Sequence, residues 1–102
     1  MKLKNYPKPL SDNTQIILEH NQPSIIQEAE LLIFNQDGRL ISQIDATPYI
    51  GTYSIGPITW EGTTIGGEKL SNGLYFCRMQ IKTATDKFTS PTQKIIIFNR
   101  NK

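Results

Sequence analysis

The chain has 102 residues, of which 37% are hydrophobic, and a net charge of +2 from 11 basic and 9 acidic residues. That length accommodates one domain and excludes two. The scattered, nearly balanced charge excludes the basic stripe of a nucleic-acid binder, and no apolar run approaches the ~20 residues of a membrane span.

Lys2, Lys4 and Lys8 at one end, and Arg100 and Lys102 at the other, read as solvated tails. Met1-Lys2-Leu3-Lys4 lacks the hydrophobic region of a signal peptide. The sequence therefore reads as a single domain, residues 1–102, taken from a longer protein.

From there the apolar residues alternate and β-branched types dominate. Thr14 to His20 reads as a strand, closed by the turn cluster Asn21-Gln-Pro-Ser24. Gln27 to Phe34 follows, with Ala29, Leu31 and Ile33 on one face and Glu28 and Glu30 on the other. Asn35-Gln-Asp-Gly38 is a hairpin signal in which Gly38 supplies the positive φ, and Arg39 to Asp45 is the return strand. Ala46 to Tyr53, with Pro48 and Gly51, predicts a crossover between sheets. Ile55 to Trp60 is a further strand, and Glu61 to Asn72 a long loop. Gly73 to Lys82 is the longest strand, and Thr83 to Lys87 a turn. Phe88 to Asn99 returns the chain, with Pro91 marking an edge position or a bulge because it cannot donate to a ladder. No helical period of useful length appears. The pattern predicts an all-β fold, an immunoglobulin-like sandwich of about seven mainly antiparallel strands.

The side-chain inventory argues against catalysis. His20, the single histidine, ends the row of Ile16 and Leu18 and has no companion for nucleophilic or metal chemistry. Cys77, the single cysteine, excludes an internal disulfide and lies mid-strand with Tyr75, Met79 and Ile81 on its face. This predicts a small buried hydrophobe and not a reactive thiolate. Tyr75, two residues earlier, is placed to anchor a tyrosine corner. Gly62 to Lys69 imitates a phosphate loop, but Glu68 separates Gly67 from Lys69 and no helix follows. Glu61 and Glu68 are too few for calcium. No catalytic, cofactor or metal site is expected.

Exposed apolar groups are more informative. Ile17, Phe34, Ile50, Tyr53 and Phe76 fall on the second strand face or in loops, where either covering loops or a docking role would account for them. Trp60, Tyr49 and Tyr53 are the candidates for a glycan-binding platform.

Several motifs resemble one family. Asn5-Tyr6-Pro7-Lys8-Pro9-Leu10 is similar to the Asn-Tyr-Pro-Asn-Pro-Phe opening of the C-terminal sorting domains of type IX secretion. Leu32-Ile-Phe-Asn35 with Gly38-Arg-Leu-Ile41 resembles that family's hairpin, and Lys94-Ile-Ile-Ile97 its closing strand. Trp60-Glu-Gly62 and Gly73-Leu-Tyr75-Phe76 resemble its Trp-Asp-Gly and Gly-Val-Tyr signatures, which the immunoglobulin-like module of the flagellar hook-capping protein shares. Lys8, Leu10 and Glu61 depart from the pattern. Within the family, Asp12-Asn-Thr14 and Leu18 to Gln22 look closest to the C-terminal domain of the PorU-like, gingipain-type sortase.

The resemblance implies a non-catalytic module that carries its protein across the outer membrane of a Bacteroidetes-type bacterium and holds it at the cell surface. The implied partner is an outer-membrane barrel or another protein of the secretion machinery. Neither nucleic acid nor membrane insertion of its own is expected, and the domain is expected to be monomeric. Strand pairing or an apolar contact would supply the docking, with Lys94, Ile95, Ile96, Ile97 and Phe98 as the expected contributors. A glycan-binding sandwich and a passive domain stabilising an upstream peptidase are the alternatives.

Overall fold

A computed structural model describes residues 1–6 and 12–98. Among these residues the chain forms eight strands and one short 3₁₀ turn. Two antiparallel sheets pack face to face, as alternating apolar residues require. The first sheet runs β1 (Lys2–Tyr6), β2 (Thr14–Glu19), β5 (Ser54–Trp60). The second runs β4 (Leu40–Asp45), β3 (Glu28–Phe34), β6 (Gly73–Lys82), and β6 then pairs along its far edge with both β7 (Lys87–Thr89) and β8 (Gln93–Ile97).

The core is the inward half of each strand. Ile16, Leu18, Ile55, Ile58 and Trp60 from the first sheet meet Leu31, Ile33, Cys77, Met79, Ile81 and Ile95 from the second. All are buried. Crossings between sheets follow the turn chemistry. The Thr47–Tyr49 turn carries the chain from β4 to β5, with the Thr47 amide donating to Asp45 Oδ1 at 3.0 Å. That hydroxyl-bearing turn also holds the Asp45 carboxyl below the usual carboxylate range, through hydrogen bonds from the Thr47 side chain and amide. The Asn35–Gly38 hairpin forms as expected. Asn35 Oδ1 accepts from the amides of Asp37 and Arg39, and Gly38 has φ of 82°.

The N-terminal end of the predicted pattern differs from the structure. Lys2 to Tyr6 is a strand and not a solvated tail, because Leu3 and Asn5 alternate inward while Lys2, Lys4 and Tyr6 face water. Lys4 Nζ lies 2.8 Å from a Glu19 carboxylate on β2, an interaction that holds the Glu19 carboxyl low. Asn5 accepts a hydrogen bond from Gln93 on β8 at 2.9 Å, stitching one sheet to the other. Pro7, Lys8, Pro9, Leu10, Asn99, Arg100 and Lys102 lie outside the described residues.

The Pro91 interruption divides the final strand into β7 and β8. Ser90 spans the gap: its amide donates to the Met79 carbonyl, and its hydroxyl accepts from the Met79 amide at 2.8 Å. A side chain thus replaces the ladder partner that the break removes. Pro57 likewise sits on an edge strand, since β5 pairs with β2 alone among the named strands.

Candidate docking surface

Residues whose chemistry drew notice in the sequence are largely structural. Trp60 is only 2% exposed, and its indole Nε1 donates to the Thr63 carbonyl at 3.1 Å. It therefore offers no platform for a sugar ring. Tyr49 and Tyr53, 44% and 66% exposed, are left without their central partner. Gly62 has φ of 70°, and its carbonyl accepts from the Leu70 amide, so the 61–72 loop folds back on itself. Its tip plugs the free edge of β4, where the Ile65 amide donates to the Ile41 carbonyl at 3.1 Å. Gly73, with φ of 153°, opens β6. The Tyr75 hydroxyl donates to the Ser71 carbonyl at 2.8 Å, which is the geometry of a tyrosine corner. Cys77 is buried in the core.

His20 is buried as well. Its Nδ1 accepts from the Gln22 amide at 3.1 Å, so the proton of the neutral ring sits on Nε2. Burial lowers its pKa below the ordinary value, with a smaller contribution from the N-terminal ammonium. The unfolded chain therefore takes up a proton before the folded one does as pH falls. The linkage contribution is nil above the unfolded value of about 6.5 and turns destabilising below it. Urea midpoints of the wild type should fall between about pH 7.5 and about pH 5 by more than those of His20→Gln. Parallel pH profiles would remove His20 from the account. Among the described residues no group of three or more His, Cys, Asp or Glu side chains is placed to hold a metal.

The five residues expected to dock divide by strand alternation. Ile95 and Ile97 point into the core and are no part of a surface, whereas Lys94, Ile96 and Phe98 are exposed. The outward set does not stand alone. Register places Phe34 opposite Phe76 and Phe76 opposite Lys94, with Leu74 opposite Ile96 and Leu32 opposite Arg78. Leu40 faces Phe34 from β4 across a register shift. Leu32, Phe34, Leu40, Leu74, Phe76 and Ile96 thus form one apolar band on the outer face of the second sheet.

Phe34 and Phe76 were legible as second-face residues; Leu32, Leu40, Leu74 and Arg78 were not. For Leu32 and Leu74 the signal lay in the uninterrupted runs Leu31-Leu-Ile-Phe34 and Leu74-Tyr-Phe-Cys77, because a strand apolar at every position has two apolar faces; Leu40 and Arg78 lie outside both runs. Ile50, by contrast, packs against the core, and Ile17 is half-buried on the other sheet.

The family of the chain is decided by sequence: a model of the secretion system C-terminal sorting domain matches residues 4–98. The chain belongs to that family. No curated protein matches it significantly. Among solved structures, dimeric latent PorU from Porphyromonas gingivalis superposes with a TM-score of 0.78 at 22% identity, covering 96% of this chain and 9% of that one. PorZ from the same organism, a surface component of the type IX secretion system, superposes with a TM-score of 0.58 at 18% identity over 95% of this chain and 11% of its own. These likenesses show a shared sandwich fold. The chain spans about a tenth of each of those proteins. The sorting domain is not catalytic, and membership implies export through the secretion system.

Proposed function

We propose that this sorting domain also anchors: it directs the protein carrying it through type IX secretion and holds that protein at the outer-membrane surface by protein–protein docking. The observation that carries the reading is the family match across residues 4–98, joined to a sandwich whose buried residues serve structure. The apolar band on the second sheet supports a docking role, since solvated sheet faces are ordinarily polar. The partner is an outer-membrane barrel or another protein of the secretion machinery. The likeness to PorU supports a parent of the gingipain-type sortase class.

The test is a fluorescent reporter fused to this chain in a bacterium with a working type IX system. The reporter should leave the periplasm and fractionate with the cell surface, whereas a fusion with the residues of β6 and β8 scrambled should not. A reporter that reaches the medium without being held would support sorting and sink anchoring. Wild-type and scrambled fusions behaving alike would sink both.

A further inference from the structure

Arg78 sits within the apolar band on β6, directly across from Leu32. Its guanidinium carbon lies 4.5 Å from the centre of the Phe34 ring, a cation–π stack that fixes its direction. Its Nε is buried and finds no hydrogen-bond partner among the described residues. Among the described residues the ion pairs are Lys4–Glu19 and Lys82–Glu28, and neither involves Arg78. Glu30, one register row away, is engaged by Gln43 instead. Lys94, exposed on β8, adds a second positive charge opposite Phe76. Asp45, opposite Glu30 in that same row, is two strands away from Arg78 on β4, and Glu28 lies one row further on, paired with Lys82. An oriented cation with unused donors, ringed by Leu32, Phe34 and Phe76, is half of a charge-assisted contact.

Resting on the docking reading above, we infer that the outer face of the second sheet binds a folded protein that presents a carboxylate side chain set among apolar residues, with Arg78 as its electrostatic anchor and Phe34, Phe76 and Ile96 as its apolar floor. Shape favours a protein over an anionic bilayer. Leu32, Phe34, Leu74 and Phe76 lie half-buried or deeper, and only Leu40, Ile96 and Phe98 stand out far enough to enter a membrane. Free cations are also few for a lipid surface, since beside Arg78 and Lys94 this face carries only Lys82, ion-paired with Glu28, and Lys87 at its far end. Arginine stacked on an aromatic at the border of an apolar patch, with Glu30 and Gln80 in the next row, has the composition of an interface anchor.

Two probes test this with the ¹⁵N-labelled chain: acetyl-Leu-Glu-Phe-amide and its Gln counterpart. The Glu probe should shift amides around Leu32, Phe34, Phe76 and Arg78 and bind about tenfold more tightly than the Gln probe. Arg78→Gln should abolish that difference and Arg78→Lys restore part of it, with unchanged melting temperatures showing an intact fold. Equal binding of the two probes, shifts mapping elsewhere, or saturable binding to phosphatidylglycerol vesicles that Arg78→Gln weakens would each overturn the inference. In the reporter assay, Arg78→Gln should reduce surface retention at least threefold while export persists. If the wild-type fusion fails to leave the periplasm, the sorting reading fails. If it is exported and retained but Arg78→Gln changes nothing, only this surface assignment fails.

Discussion

Trp60→Ala should cost the domain about 3–5 kcal/mol, enough to leave a large fraction of molecules unfolded. The side chain ends β5 opposite Thr14 and is among the largest fully enclosed groups of the core. Its removal opens a cavity between sheets that the surrounding strands cannot collapse, because both are held in register by their ladders. The Thr63 carbonyl loses its indole donor at the same time. That bond ties the 61–72 loop to the first sheet, and the same loop caps β4 of the second through Ile65 and Ile41. Trp60→Phe separates the two contributions. It keeps most of the apolar volume while losing the donor and a small part of the ring system, so it should recover more than half of the lost stability. Urea denaturation with an unchanged m-value is the measurement. A loss below about 1 kcal/mol for Trp60→Ala would mean that the loop and sheets hold without it.

Gly56→Ala should be the next most damaging, at about 2–3 kcal/mol. Gly56 has φ of 118°, a conformation that residues with a Cβ rarely adopt. A Cβ there would stand 2.6 Å from the Ile16 carbonyl oxygen and 3.2 Å from Ile17 Cα. Both obstacles are backbone, so no side-chain movement relieves the overlap. The register of β2 and β5 shifts at this place, between Ile16 and Leu18, and Gly56 lets the two chains approach there. Gly66→Ala is the control. A Cβ at Gly66 meets only the Thr64 hydroxyl at 3.8 Å, and the change should stay within about 0.5 kcal/mol. Comparable melting temperatures for the two variants would show that the shifted register adapts freely.

Strand periodicity was legible wherever one face is buried, since a slip of one residue would expose the whole row of Leu31, Ile33, Met79 or Ile81. The strand at Lys2 to Tyr6 was hidden because only two inward positions, Leu3 and Asn5, alternate with lysines. Two lysines in a short segment have the composition of a tail. What makes it a strand is pairing with β2 and the bond between Asn5 and Gln93, 88 residues away in the chain. Trp60 illustrates the opposite error of inference. A tryptophan at the end of a strand, just before a Gly- and Thr-rich loop, is a candidate sugar platform, but burial is decided by the neighbouring sheet.

Alone, the sequence determined an all-β sandwich, its turns, the structural roles of His20, Cys77 and Tyr75, and, through the order of its motifs, its sorting-domain family. Those properties follow from local alternation, from side-chain chemistry and from short segments read in order. Which outward residues meet was decided only by tertiary structure. Phe34, Phe76 and Lys94 come from three strands, and a β-sheet joins distant segments by backbone hydrogen bonds whose partners no local pattern specifies. The same register divides Lys94 to Phe98 into an outward and an inward set, and it sets Arg78 beside Leu32 with no carboxylate among the described residues to meet it.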